Sequence, residues 1–199
     1  MGDRRRDDAS GRTSGHRQGR VSGSEQDEAP RSLEQQFAFA REIALRRLEL
    51  RAQSRAELAQ ALSSKGVPPE VSTSVLDRFE TVGLINDEAF AIMWATSRHQ
   101  HRDLSRRAIR LELRRKGLGE AHVATAVEGI DLESELAAAR RVASKKATSL
   151  RGLSHETAYR RLAGALGRKG FGSDVLVLVV RETLEELKLG SPCEPSCDG

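Results

Sequence analysis

Three times along the chain, two apolar residues four positions apart are followed by a glycine and a further apolar residue. Leu58 and Leu62 precede Gly66-Val67, Ile109 and Leu113 precede Gly117-Leu118, and Leu162 and Leu166 precede Gly170-Phe171. Apolar residues at i and i+4 share one face of a helix, so each pair predicts an amphipathic helix whose stripe turns inward. In the first copy Ser54 followed by Glu57 spells a capping box, which starts the helix there. Lys65 falls in the expected last turn, where a cation suits the negative end of the helix dipole. Gly66 then supplies a left-handed stop, and Pro68-Pro69 opens the next helix. The phrase Lys-Gly plus an apolar residue therefore reads as a helix stop and re-entry.

The three glycines are 51 and 53 residues apart, a period that marks an array of repeated units. The first two copies agree further upstream: Arg51, Ser54, Leu58, Leu62, Lys65 and Gly66 align with Arg102, Ser105, Ile109, Leu113, Lys116 and Gly117. The third copy keeps Leu162, Leu166, Lys169 and Gly170, lacks serine at the expected cap offset, and places Gly164 in mid-helix. Each unit gains a helix upstream. Gln35 to Leu50 carries Ala40, Ile43, Ala44, Leu45 and Leu48 along one stripe, Asn86-Asp87 caps a second, and Asp131 caps a third. The apolar run from Val175 to Val180 has strand propensity, but the repeat aligns it with helices at Val71 to Leu76 and His122 to Val127, and no partner strand exists. The expectation is an all-α protein of three tandem three-helix repeats, 32–84, 85–130 and 131–189. Units that bury little alone must share surfaces, which implies an elongated, curved array.

The ends read differently. Residues 1–31 are rich in Gly, Ser, Arg and Asp, with seven arginines against six acids, and are expected to be a disordered, solubilising tail. Residues 190–199 form a flexible C-terminal tail whose Cys193 and Cys197, with no nearby histidine, are expected to be inert thiols. The longest apolar run, Val175 to Val180, is far too short for a membrane span, and no apolar signal follows Met1. The expected setting is the cytoplasm, without a membrane partner.

A net charge of +4 says little until its distribution is drawn. Residues 32–84 balance seven basic side chains against seven acidic ones. Residues 102–116 hold seven basic against Asp103 and Glu112, and residues 137–172 hold nine against Glu156 alone. On a helix, Arg106, Arg107, Arg110 and Arg114 share an arc of roughly 100°, as do Arg160, Arg161 and Arg168, opposite the apolar residues. Guanidinium forks suit phosphates and carboxylates, so the two stripes are the candidate binding surface. Trp94 with Phe90 at i−4 reads as core. His99 and His101 lack metal-ligand spacing, and no phosphate-cradling loop or nucleophile signature occurs. No catalysis, cofactor or metal is expected.

These phrases resemble the RecX family of bacterial recombination regulators. The likeness lies in Ser54, Glu57, Leu58, Lys65 and Gly66, in Gly83-Leu84-Ile85-Asn86-Asp87-Glu88-Ala89-Phe90-Ala91 with Trp94 and Arg98, in Ile109 to Gly117, and in Leu166, Lys169, Gly170, Phe171, Asp174 and Val175. It covers roughly 35–188. The resemblance implies a non-enzymatic monomer that binds the RecA recombinase and its filament on single-stranded DNA, suppressing ATPase, strand-exchange and co-protease activities in DNA repair and the SOS response. A sequence-independent binder of DNA itself is the competing reading.

Overall fold

The structure is a computed structural model that describes residues 31–189; the expected tail (Arg31 apart) and the segment bearing Cys193 and Cys197 lie outside the described residues. Among the described residues the chain forms nine α-helices, one short 3-10 turn and no strand. The first unit holds α1 (Leu33–Leu50), α2 (Arg55–Ser63) and α3 (Pro69–Thr81), and the second α4 (Asp87–Arg102), α5 (Arg106–Arg115) and α6 (Glu120–Glu128). The third holds α7 (Leu132–Ala147), the 3-10 turn Thr148–Leu150, α8 (His155–Arg168) and α9 (Ser173–Leu189). The Val175–Val180 run is helical, inside α9, as the repeat requires.

Side-chain caps set the starts. Ser32 and Ser54 form full capping boxes with Gln35 and Glu57, and Asn86, Ser105, Asp131 and Ser154 each accept a backbone N–H three residues on. The expected cap offset in the third unit holds Ala158, not serine. The third unit does have a serine cap, displaced four residues toward the N-terminus, so α8 runs 14 residues where α2 and α5 run 9 and 10. Gly66, Gly117 and Gly170 all have positive φ, as a left-handed helix stop demands. Lys65 sits beyond the last helical residue, Ser63, rather than in the last turn.

Each unit closes on its own core. Leu58, Leu62, Val71, Leu76 and Phe79 pack with Ala40 and Ala44 in the first, joined by Ile85 from the linker to the second. Ile109, Leu113, Val123 and Val127 pack with Phe90, Ala91 and Ala95 in the second. Leu162, Leu166, Val179 and Val180 pack with Ala138, Ala139 and Val142 in the third. Small residues on the first helix of each unit let the other two approach closely.

The recurring Lys-Gly turn has a second role that helical periodicity does not reveal: it joins neighbouring units. The second unit's turn lies on the first unit's helix cap. Ser54, fully buried, donates its hydroxyl to the Lys116 carbonyl at 2.7 Å, and Lys116 Nζ donates to Glu57 Oε1 at 2.8 Å. The third unit repeats the docking on the second, where Ser105, also fully buried, donates its N–H to the Lys169 carbonyl at 3.1 Å and Lys169 Nζ donates to the Arg102 carbonyl. Both glycines sit where a side chain cannot. A Cβ on Gly117 would lie 2.3 Å from Ala56 Cβ, and one on Gly170 would lie 2.7 Å from both Ala108 Cβ and Ser105 Oγ. At Gly66, in the first unit, a Cβ would meet nothing within 4 Å.

Candidate functional site

The joints decide which cations remain free. At the first joint Trp94 donates its indole N–H to Glu112 at 2.9 Å, with the Arg98 guanidinium 3.9 Å and Lys116 Nζ 4.0 Å from its ring centroid. Trp94 is thus half-buried against the second core, with cations on its faces, of which Lys116 reaches across to Glu57. At the second joint Asp103, in a left-handed conformation at φ 49°, accepts from Arg141 at 2.8 Å and Lys145 at 2.7 Å. Its side chain is only 5% exposed. Burial by itself would raise the carboxyl pKa, but the Lys145 and Arg141 hydrogen bonds and charges outweigh it and hold Asp103 below its ordinary value. Glu57 behaves alike: burial raises it, while the Lys116 hydrogen bond, the Ser54 N–H and the Lys116 and Arg51 charges bring it below its ordinary value.

The first arginine stripe is divided by these contacts. Arg106 opens α5, and its backbone N–H donates to Glu135 Oε1 at 3.1 Å. The same link occurs one unit earlier, where Arg55 N–H donates to Asp87 Oδ1 at 2.8 Å. The Arg106 side chain is half-buried, its Nε has no hydrogen-bond partner, and its charge acts on Asp131. Arg106 therefore stands at the second joint. Arg114 forks onto Glu120 of α6 with bonds of 2.9 and 2.8 Å, which hold the Glu120 carboxyl below its ordinary range. Arg107, exposed, and Arg110, half-buried, make no hydrogen bond or ion pair with another described residue. Two of the four stripe arginines are thus free of hydrogen bonds and ion pairs, although the Arg110 charge acts on Glu120.

The second stripe is brought together. Arg160, Arg161 and Arg168 of α8 converge with Lys146, at the end of α7, on a cavity of about 380 Å³, with Ser149 and Leu150 of the 3-10 turn and Gly164 completing its wall. None of the four cations forms an ion pair with a described residue, whereas Arg140 of the same unit forks onto Glu182 at 2.9 and 3.0 Å. Residue-by-residue charge reading found the three arginines and passed over Lys146, because its approach depends on how α7 packs on α8. Its place in a run of nine basic residues against one acid was the available signal.

A second concavity, of about 220 Å³, lies where the first unit meets the second, with Leu48, Leu84, Phe90 and Met93 in its wall. Leu84 and Met93 are about half exposed, so part of this rim is apolar, beside Gln53 and Asn86. No group of His, Cys, Asp or Glu among the described residues could hold a metal, and no helix is long and apolar enough to cross a membrane.

Comparison with known proteins places this arrangement. Residues 40–79, 86–127 and 133–176 match the family models described as the first, second and third three-helix domains of RecX. The chain is 45% identical over 163 residues to Regulatory protein RecX of Streptomyces coelicolor, covering 82% of this chain and 85% of that one. It is 37% identical to Regulatory protein RecX of Mycolicibacterium smegmatis, covering 80% and 86%. In fold it is similar to the crystal structure of RecX from Lactobacillus salivarius, with a TM-score of 0.67 at 20% identity, covering 79% of this chain and 99% of that one.

Proposed function

The chain belongs to the RecX family of regulatory proteins, and from that premise we propose that it is a non-enzymatic cytoplasmic regulator that binds RecA and its filament on single-stranded DNA, acting as a monomer in recombinational repair and the SOS response. It inhibits the recombinase, ATPase and co-protease activities of that filament. The match of all three units to the family, in order, carries the reading. The free cations support it: Arg107, Arg110, Arg160, Arg161 and Arg168 belong to the second and third units, in helices whose neighbours are fixed by buried joints. The apolar part of the rim at Leu84 and Met93 adds a surface that a protein partner can bury.

A second reading, sequence-independent occupation of DNA, draws on the same cations, because α5 carries no Asn or Gln with which to read base edges. Salt and competition separate the two. Phosphate contacts weaken steeply with salt, while apolar contacts to a protein survive screening. Inhibition of RecA ATP hydrolysis is expected at protein concentrations well below those that coat the DNA, and to persist near physiological salt. With RecA limiting, extra single-stranded DNA is titrated into the inhibited reaction. Recovery of hydrolysis in proportion to the added DNA would sink the filament reading in favour of the second.

A further inference from the structure

We propose that the cavity between α7, the 3-10 turn and α8 is a phosphate-binding pocket that seats the backbone of a single nucleic-acid strand. The inference rests on the proposed function in placing DNA within reach, and it goes beyond that reading by assigning a built pocket where the sequence suggested only a charged face.

The first ground is uncompensated charge. Lys146, Arg160, Arg161 and Arg168 surround one cavity, and no carboxylate lines it. Like charges around a shared space repel, and an anion relieves that repulsion. The fold shows no shortage of ways to pair cations: Asp103 takes Arg141 and Lys145, and Glu182 takes Arg140. Even Glu156, four residues before Arg160 and at the favoured helical spacing, forms no ion pair with it. Helix dipoles account for Lys146 and Arg168, which stand in the last turns of α7 and α8, but not for Arg160 and Arg161 in mid-helix.

The second ground is Gly164. Glycine in a helix interior is destabilising relative to alanine, and this one lines the cavity. A Cβ there would come within 3.3 Å of Arg168 Nη1, so the bare backbone keeps space beside that guanidinium. Gly164 thus exchanges helix stability for room next to a cation.

The chemistry of the wall selects the ligand. Guanidinium forks and an ammonium suit phosphate oxygens. About 380 Å³ lies in the ~300–1,000 Å³ range of small-ligand pockets, more than a lone anion fills. No aromatic ring lines the cavity, so it has nothing on which to stack a base inside. The strand's phosphates therefore enter while its bases stay outside.

The test measures anisotropy of a fluorescein-labelled 15-nucleotide oligo-dT with the full chain, across a salt series and without RecA. Arg160→Gln with Arg161→Gln is expected to weaken binding and to reduce the logarithmic salt slope by about 1.4, at ~0.7 per lost phosphate contact. Gly164→Leu keeps every charge, yet is expected to weaken binding at least about fivefold by filling the cavity. Circular dichroism and urea unfolding check its fold, and Gly164→Ala, a better helix former, serves if the leucine variant is damaged. Alanine is expected to raise the urea midpoint while lowering affinity, a pairing that a merely structural glycine does not produce. Folded Gly164 variants that bind like the parent, or an unchanged salt slope in the arginine pair, would overturn the pocket. Inorganic phosphate and tripolyphosphate form a separate competition arm. Displacement of the strand only at concentrations far above that of oligo-dT supports a strand site, and displacement by inorganic phosphate at micromolar levels assigns the pocket to free phosphate and overturns the strand. Because RecA is absent, failure here leaves inhibition of RecA untouched, and failure of inhibition leaves strand binding untouched.

Discussion

Asp103 shows how much one side chain does in this fold. It ends α4 in the left-handed region, and its buried carboxylate ties the second unit to two cations of α7. Asparagine tolerates the same backbone conformation, so Asp103→Asn removes the charge and keeps the turn. Hydrogen bonds to charged groups contribute ~1.5–3 kcal/mol, and the exposure of Lys145 and Arg141 trims this, so a loss of about 1–2 kcal/mol is expected by urea denaturation at pH 7. The pH dependence has a definite sign. Asp103 and Glu57 are both depressed from ordinary values of 3.8 and 4.5, so their stabilisation is complete above those values. It is lost as pH falls through the depressed folded values. The deficit of Asp103→Asn should therefore shrink as unfolding is measured from pH 5 toward pH 2. A deficit independent of pH over that range would mean the carboxylate charge does not hold the joint. None of this was legible in the sequence, where Asp103 is simply one of two acids in a basic stretch.

At the scale of elements, the sequence was far more informative. Caps at Ser54, Asn86 and Asp131, stripes such as Ile109 and Leu113, and stops at Gly66, Gly117 and Gly170 all follow from local rules that depend on a few neighbouring residues. The displaced cap at Ser154 escaped because the repeat offset was followed where local chemistry, a serine one turn earlier, should have ruled. The joints escaped because they pair residues far apart in sequence, such as 29 positions for Arg106 and Glu135 and 62 for Ser54 and Lys116. The three glycines separate these two layers experimentally. All have positive φ, but only Gly117 and Gly170 face a neighbouring unit within 4 Å. Gly66→Ala should cost about 1–2 kcal/mol, the strain of a left-handed residue alone. Gly117→Ala and Gly170→Ala should each cost a further ~1–3 kcal/mol, because the new methyl forces the docked helix away. Equal urea midpoints for the three variants would show that the turns do not carry the joints.

Across the molecule, charge and joints together decide which cations remain exposed and unpaired. Unit-by-unit counts correctly located the excess in the second and third units, yet they overstated how much of it is available, since Arg106 is half-buried with its charge acting on Asp131 and Arg114 is paired with Glu120. Reversing all four arginines of the first stripe would thus mix two effects, a damaged joint and a lost binding charge. Arg107→Glu with Arg110→Glu isolates the second. Both positions lie on α5, neither is bonded to a described residue, and glutamate forms helices as well as arginine does, so the fold should be retained. The matched control is Arg41→Glu with Arg46→Glu on α1, which changes net charge by the same amount in the unit where acids and bases balance. If the candidate surface is right, the α5 pair should weaken binding to the RecA–DNA filament by at least tenfold at low salt, while the control stays within about twofold. The α5 deficit should narrow as salt is raised, since screening removes the attraction and the introduced repulsion alike. Equal losses in both pairs would mean that net charge alone governs binding, and the position of the cations on the fold would then have no part in recognition.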